Sequence, residues 1–168
     1  IDSLFNAEIG TNEPGAALLV SYDGKMIIGK GYGLRDLDNN KPITTNTNIR
    51  MASVSKQFTA LSVLSLVDKG FLSLNDSINK FWPYPIFEKI TVQHLLNHTS
   101  GIADYEAPYF LKDWDRSKIV ENQDILDWLS TNPKPTFAAG KGWEYSNTAY
   151  IVLALLVEKV GGKEFSIY

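Results

Sequence analysis

Residues 53–67 read SVSKQFTALSVLSLV, the most informative stretch of the chain. Ser53 and Lys56 lie three positions apart at the start of a predicted helix, and residues at that spacing share one helix face. From Phe58 onward the apolar residues cover most of the helix surface, and a helix of this kind is usually buried on nearly all sides. Gly70 is well placed to end it. We therefore expect a buried helix with a serine and a lysine side by side at its start.

This pair has the chemistry of a nucleophile and its base. A serine hydroxyl reacts only when a neighbouring group takes its proton, and a lysine can do so if its pKa is lowered. Burial lowers the pKa of a lysine because it disfavours the charged form. The N-terminus of the helix would also stabilise negative charge that develops at Ser53. Ser-x-x-Lys alone is a common pattern, so the alternative is that Ser53 caps the helix and Lys56 is a solvated side chain.

A second pattern, Tyr145-Ser146-Asn147, precedes a long predicted helix over residues 148–160 that Gly161-Gly162 would close. In an extended segment, side chains two positions apart face the same side, so Tyr145 and Asn147 would face one space. A phenol beside an ammonium group can take part in acid–base chemistry, and an asparagine amide both donates and accepts hydrogen bonds. The alternative is that Asn147 only caps the helix and Tyr145 is a packed aromatic residue.

The remaining pattern combines a hairpin with short helices. Residues 16–21 and 26–34 read as two strands around an Asp23-Gly24 turn. Thr91 would cap a short helix that ends at Leu96, and another short helix is expected around residues 125–129. Because an isolated two-stranded hairpin is only marginally stable, further strands are expected from elsewhere.

Composition excludes several classes of protein. The chain has 168 residues, 44% of them hydrophobic, which is typical of a globular domain. A net charge of -3 without a run of lysine and arginine argues against nucleic acid as a partner. The absence of cysteine excludes disulfides and thiolate metal sites, and His94 and His98 lack a third ligand, so we expect no metal site. No apolar run reaches the length of a transmembrane helix, about 20 residues.

The chain starts at Ile1 rather than at a methionine, so we expect that its N-terminus was processed or trimmed. This expectation is compatible with the removal of a signal peptide.

Three segments carry a resemblance to a known family. They are 49–60 (IRMASVSKQFTA), 90–102 (ITVQHLLNHTSGI) and 145–150 (YSNTAY). Together they resemble the penicillin-recognising serine hydrolases, and most closely the branch of class C β-lactamases, D-alanyl-D-alanine carboxypeptidases, D-aminopeptidases and related esterases.

The resemblance implies an α+β fold of the β-lactamase/transpeptidase type, with an antiparallel sheet flanked by helices and a helical subdomain. Residues 1–68 would form the N-terminal part of the sheet domain with the nucleophile helix, and residues 69–168 an incomplete helical subdomain. Ser53 would be acylated, Lys56 and Tyr145 would transfer its proton, and Asn147 would contact the substrate. The substrate would be a β-lactam, a D-amino-acid peptide or an ester, no cofactor or metal would be needed, and the protein would be extracytoplasmic.

The family's third motif, Lys-Thr-Gly or His-x-Gly on a later strand, is not found. The stretches 98–101 (HTSG) and Lys141-Gly142 both precede Tyr145 in the chain, so we interpret the first as a structural turn and give the second little weight. We therefore expect a fragment that lacks the C-terminal strands and that self-associates or pairs with a complementing chain. Its catalysis would be impaired, because loss of one oxyanion donor costs ~10²–10³ in rate. The alternative function is a penicillin-recognising sensor or binding module without turnover.

Overall fold

The computed structural model describes residues 1–106, 115, 117–131 and 134–168. They form two compact units, Ile1–Met51 and Ala52–Tyr168. The division into a sheet part over residues 1–68 and a helical subdomain over residues 69–168 stays a prediction.

The first unit contains one short helix and two antiparallel strand pairs. Strands β1 and β2 pair with each other, and β3 pairs with β4. The elements are α1 (Asp2–Glu8), β1 (Ala16–Tyr22), β2 (Lys25–Tyr32), β3 (Leu34–Asp36) and β4 (Lys41–Pro42). The predicted hairpin is confirmed, since Asp23 and Gly24 form its turn with positive φ angles of 49° and 71°.

The glycines of β2 reflect close packing. A Cβ atom on Gly31 would lie 2.1 Å from the carbonyl oxygen of Ile43, so a larger residue would displace the backbone there. Helix α1 has no counterpart in the sequence prediction. It is held by Phe5, which stacks on Tyr32 at 4.4 Å between ring centroids, and by Asp2, which accepts hydrogen bonds from Tyr32 and Lys30.

The second unit is helical. Four α-helices lie within its described residues: α2 (Lys56–Asp68), α3 (Val92–Leu96), α4 (Asn122–Thr131) and α5 (Asn147–Gly161). Short 3-10 helices cover Ala52–Ser55, Ile78–Lys80, Pro85–Phe87 and Phe165–Ile167. All four α-helices lie where the sequence predicts them. The sequence also predicts that α4 ends before Pro133, a residue that lies outside the described ranges.

Helix α5 is the centre of the second unit. It packs against α2, α3 and α4, and it buries apolar side chains along most of its length. The neighbours contribute Val63, Leu66, Leu95, Leu126 and Leu129, all of them at most 1% exposed. Removal of these side chains from water drives the packing of the helices. Within the described ranges, no helix combines the length and apolar character needed to cross a bilayer.

Helix α2 differs from its prediction in burial. Thr59, Val63 and Leu66 are buried, but Phe58 is 57% exposed and Leu61 is 65% exposed. The expectation of a helix buried on nearly all sides is therefore wrong for this chain. The physical reason is that, within the second unit, α2 packs along one face only, the face that meets α5.

Candidate active site

Ser53 lies in the single 3-10 turn that leads into α2. The residue before it, Ala52, has a positive φ of 45°, a region that non-glycine residues rarely adopt. Such a conformation costs of order 1–3 kcal/mol and persists only where the surrounding structure fixes it. The strained peptide therefore turns the chain immediately before Ser53, whose side chain is exposed.

Lys56 is the first residue of α2, one turn after Ser53. Its Nζ lies 3.3 Å from the Ser53 Oγ and 2.7 Å from the Asn147 Oδ1. The first contact follows from the i, i+3 spacing, whereas the second joins α2 to the start of α5. One ammonium group therefore connects the two motifs, and the Lys56 side chain is half-buried at this point.

Tyr145 completes the cluster through its hydroxyl. Hydrogen bonds from Lys56 and then from Ser53 lower the pKa of Tyr145, and the positive charge of Lys56 adds to this effect. Desolvation and the charge of Asp104 act in the opposite direction. The Lys56 Nζ also lies 4.7 Å from the centroid of the Tyr145 ring, within cation–π distance. Ser53 and Tyr145 thus both lie beside the ammonium group of Lys56.

Asn147 is the first residue of α5 but not its cap. Ser146 is the N-cap, and its side chain accepts a hydrogen bond from the Ala149 N–H at 3.0 Å. The alternative in which Asn147 only caps the helix is therefore wrong. Its side chain accepts from Lys56, and its backbone N–H donates to a carboxylate oxygen of Asp104.

Sequence reasoning missed two residues that support the second motif, His98 and Asp104. His98 lies in a turn, as expected, with a positive φ of 60°. Its Nδ1 accepts the Ser146 N–H at 3.1 Å, and its ring centroid lies 4.7 Å from that of Tyr145. His98 belongs to the HTSG stretch, which resembles a His-x-Gly motif. No spacing rule in the sequence relates His98 or Asp104 to Tyr145.

The four predicted site residues, Ser53, Lys56, Tyr145 and Asn147, therefore lie together in one cluster, while their roles in catalysis stay predictions. Lys141 and Gly142 lie in an irregular loop before Tyr145. In the part of the chain that the structure describes, no three histidine or acidic side chains are grouped to hold a metal ion.

Comparison with known proteins places this cluster in a family. The β-lactamase family model matches residues 1–168. Penicillin-binding protein 4* of Bacillus subtilis (strain 168) is 34% identical over 167 residues, which cover 99% of this chain and 37% of that protein.

Two solved structures share the architecture. The octameric penicillin-binding protein homologue from Pyrococcus abyssi is 30% identical with a TM-score of 0.83, over 99% of this chain and 39% of that one. The D-amino acid amidase from Ochrobactrum anthropi SV3, complexed with D-phenylalanine, is 28% identical with a TM-score of 0.81, over 98% and 45% respectively. The chain thus spans less than half the length of each of these three proteins.

The predicted fold class is confirmed by these neighbours, which combine helices with antiparallel strands in the β-lactamase/transpeptidase manner. The resemblance that rested on Ser-x-x-Lys and Tyr-x-Asn is confirmed by the match along the whole chain. The chain belongs to the β-lactamase family of serine hydrolases.

Proposed function

We propose that Ser53 is the nucleophile of an acyl-transfer reaction on a β-lactam, a D-amino-acid amide or peptide, or an ester. The observation that carries this proposal is the position of the Lys56 Nζ, 3.3 Å from the Ser53 Oγ and 2.7 Å from the Asn147 Oδ1. A nucleophile within hydrogen-bonding reach of its base, with the base oriented by a third group, is the arrangement that activates a serine.

In the first step the Ser53 Oγ attacks the substrate carbonyl carbon while its proton passes to the Lys56 and Tyr145 pair. The lowered pKa of Tyr145 supports this role, because a phenol that ionises more easily exchanges protons more readily near neutral pH. When the carbonyl re-forms, the bond to the leaving nitrogen or oxygen breaks and the leaving group takes that proton. The product is an acyl ester on Ser53, and water then releases the acid and restores the serine.

Asn147 is proposed to bind the substrate's amide. Its Oδ1 accepts from Lys56, which leaves the Nδ2 group as a donor for a substrate carbonyl. The Ser53 backbone N–H is proposed as one of two oxyanion donors, a kind of contact that is worth ~10²–10³ in rate. The second donor and the third motif are proposed to come from residues outside this chain.

We also propose that the chain is completed by further residues, by a complementing chain or by self-association. Two facts support this: the chain spans less than half of its relatives, and α2 exposes the large side chains of Phe58, Leu61 and Leu64. Exposed apolar faces of this kind mark interaction surfaces. Size-exclusion chromatography should show association, whereas a stable, monodisperse monomer would contradict the proposal. The octameric relative from Pyrococcus abyssi is a precedent for assembly.

The nucleophile is tested by covalent labelling. A fluorescent penicillin and a fluorophosphonate should each label the protein, and Ser53→Ala should abolish the label. Ser55→Ala is the matched control, because Ser55 is an exposed serine in the same turn whose side chain makes no capping hydrogen bond to α2. The assay is run on this chain and on the longest natural form of the protein, with the chain alone expected to react more slowly.

The fate of the label separates a hydrolase from a sensor. Label that appears and then decays indicates turnover, whereas durable label at Ser53 indicates a sensor without turnover. Equal labelling of Ser53→Ala and wild type, or no labelling of any form, would overturn the proposal.

The substrate class is decided by a panel of a penicillin, D-phenylalanine amide and a simple ester, each compared with Ser53→Ala. The amide is included because of the amidase neighbour. By likeness to penicillin-binding proteins, we propose an extracytoplasmic location, which fractionation of the native protein can test.

A further inference from the structure

The Tyr145–Asn147 segment is held by side chains from one loop. The Ser146 N–H donates to the His98 Nδ1 at 3.1 Å, and the next amide, that of Asn147, donates to Asp104. Two consecutive backbone groups are thus fixed by residues more than 40 positions earlier in the chain. The segment carries both Tyr145 and Asn147, so these contacts control where the two side chains meet Lys56.

His98 ends helix α3. Its backbone is in the left-handed region, with φ 60°, and the Thr99 N–H donates to the His94 carbonyl oxygen at 2.9 Å, as at many helix C-termini. That conformation brings its ring within 4.7 Å of the Tyr145 ring centroid and 5.1 Å of the Tyr150 centroid. The ring therefore lies against the tyrosine of the second motif, while its Nδ1 holds the following amide.

We propose that His98 is a positioning residue for the acylation of Ser53: in its neutral form it holds Ser146 through Nδ1 and supports Tyr145 through its ring. This inference rests on the proposed function, because it concerns the rate of the same reaction. His98 acts through Tyr145 and takes no proton from the substrate.

The protonation state of His98 decides whether this support exists. A neutral imidazole with an unprotonated Nδ1 can accept a hydrogen bond from the Ser146 N–H. An imidazolium carries hydrogen on both nitrogens and cannot accept a hydrogen bond. The charged or titratable groups that face His98 come from α2, from its own loop, from the segment before α5 and from α5 itself. They are Lys56, Asp104, Tyr145 and Tyr150, while Glu144 contacts His98 by donating its backbone N–H to the His98 carbonyl oxygen.

Burial, and then the nearby charge of Lys56, lower the pKa of His98 from its ordinary value of 6.5, and Asp104 opposes them. Because the neutral form is the one that holds Ser146, the contact is intact above pH 6.5 and is lost as the pH falls through the lowered pKa. We therefore expect the pH profile of the acylation rate to show an acidic limb, in which the rate falls because His98 becomes protonated.

Two substitutions isolate the hydrogen bond. His98→Asn places an amide oxygen near the position of Nδ1, and His98→Gly supplies no acceptor, while both residues tolerate a positive φ. Neither keeps the ring, so the difference between them reports the acceptor alone. The readouts are the rate of Ser53 acylation by a fluorescent penicillin as a function of pH, and hydrogen exchange of the Ser146 amide by NMR.

We expect His98→Gly to lose the protection of the Ser146 amide and to acylate on the order of 10²-fold more slowly, the size of effect produced by small misplacements in an active site. His98→Asn should keep the protection and acylate faster than His98→Gly, although below the wild-type rate because the ring is lost, and its acidic limb should shift or disappear. Equal rates in His98→Gly and wild type, or an unchanged acidic limb in His98→Asn, would overturn the inference. An absence of acylation in the wild type would instead refute the proposed function, and Ser146 exchange would still test the contact.

Discussion

The two motifs of this site are held in place in different ways. Ser53 and Lys56 lie three positions apart in one helical segment, so their contact is set by the spacing of the backbone. Tyr145 precedes α5 and Asn147 begins it, and the positions of both depend on hydrogen bonds to His98 and Asp104 in a distant loop. The first motif is thus built locally, and the second is held by tertiary contacts.

This difference has a consequence for mutations. The local motif should tolerate changes elsewhere in the unit as long as α2 forms. The second motif should be sensitive to changes in a loop that contacts no substrate. The following predictions test how far this contrast holds, beginning with the residue that the two motifs share.

Lys56→Met removes the ammonium group but keeps a side chain of similar length. It breaks the contact with Ser53 and the contact with Asn147 together, so we expect acylation to fall by ~10²–10⁴-fold, the contribution typical of a general acid–base group. The measurement is the rate of labelling by a fluorescent penicillin. Lys69→Met, just beyond the end of the same helix, is the control and should label normally. Normal labelling of Lys56→Met would remove Lys56 from the mechanism.

Asp104→Ala breaks only the second motif. It leaves the Asn147 N–H without its acceptor and removes a negative charge from the N-terminus of α5, so we expect a loss of about 1–2 kcal/mol in the free energy of unfolding. Urea denaturation measures this change. Asp104→Asn keeps an acceptor oxygen and should lose less. If the two variants are equally stable, the hydrogen bond is not what holds the segment.

Ala52→Val tests the local motif by disturbing the turn that precedes Ser53. A β-branched residue is poorly tolerated at a φ of 45°, so we expect a loss of about 1–3 kcal/mol, with slower labelling of Ser53. The same denaturation experiment applies, with Ala52→Gly as the control, because glycine adopts this conformation without strain. An Ala52→Val variant as stable as the wild type would mean that the turn before Ser53 is free to relax.

The smallest expected effect is spectroscopic. Because Lys56 and Ser53 lower the pKa of Tyr145, this tyrosine should ionise below the ordinary value of 10.0, and before Tyr150, whose pKa is raised by burial. The linked contribution to stability is present above pH 10.0 and is lost as the pH falls through the lowered value. Phenolate absorbance of the wild type minus that of Tyr145→Phe isolates the titration. In Lys56→Met it should return towards the ordinary value, and an unmoved titration would contradict the assignment of its cause.

Much of the fold could be predicted because it follows local rules. The Asp23-Gly24 turn, the Thr91 cap and the ends of α2 and α5 at Gly70 and Gly162 each depend on a few adjacent residues. Both glycines have the positive φ that ends a helix. The nucleophile pair was predictable for the same reason, since it lies within one turn of helix.

The features that escaped prediction depend on distant residues. Helix α1 has no buried residue of its own and is held through contacts with Tyr32 and Lys30, which no helix pattern encodes. The support of the second motif by His98 and Asp104 is likewise invisible to periodicity. The exposed face of α2 was mispredicted for a related reason. An apolar pattern indicates which residues a helix can bury, but it does not indicate which helix faces are covered by neighbouring elements.

The 2.7 Å contact between Lys56 and Asn147 spans 91 positions of the chain, so it exists only while α5 is docked on α2. A partly unfolded chain could keep both helices, and hence its helical circular dichroism signal, after this contact has broken. Reactivity towards an acylating probe would then disappear earlier in a denaturant series than the helical signal. The probe would therefore serve as a gauge of tertiary order, reporting the first loosening of the molecule rather than its final collapse.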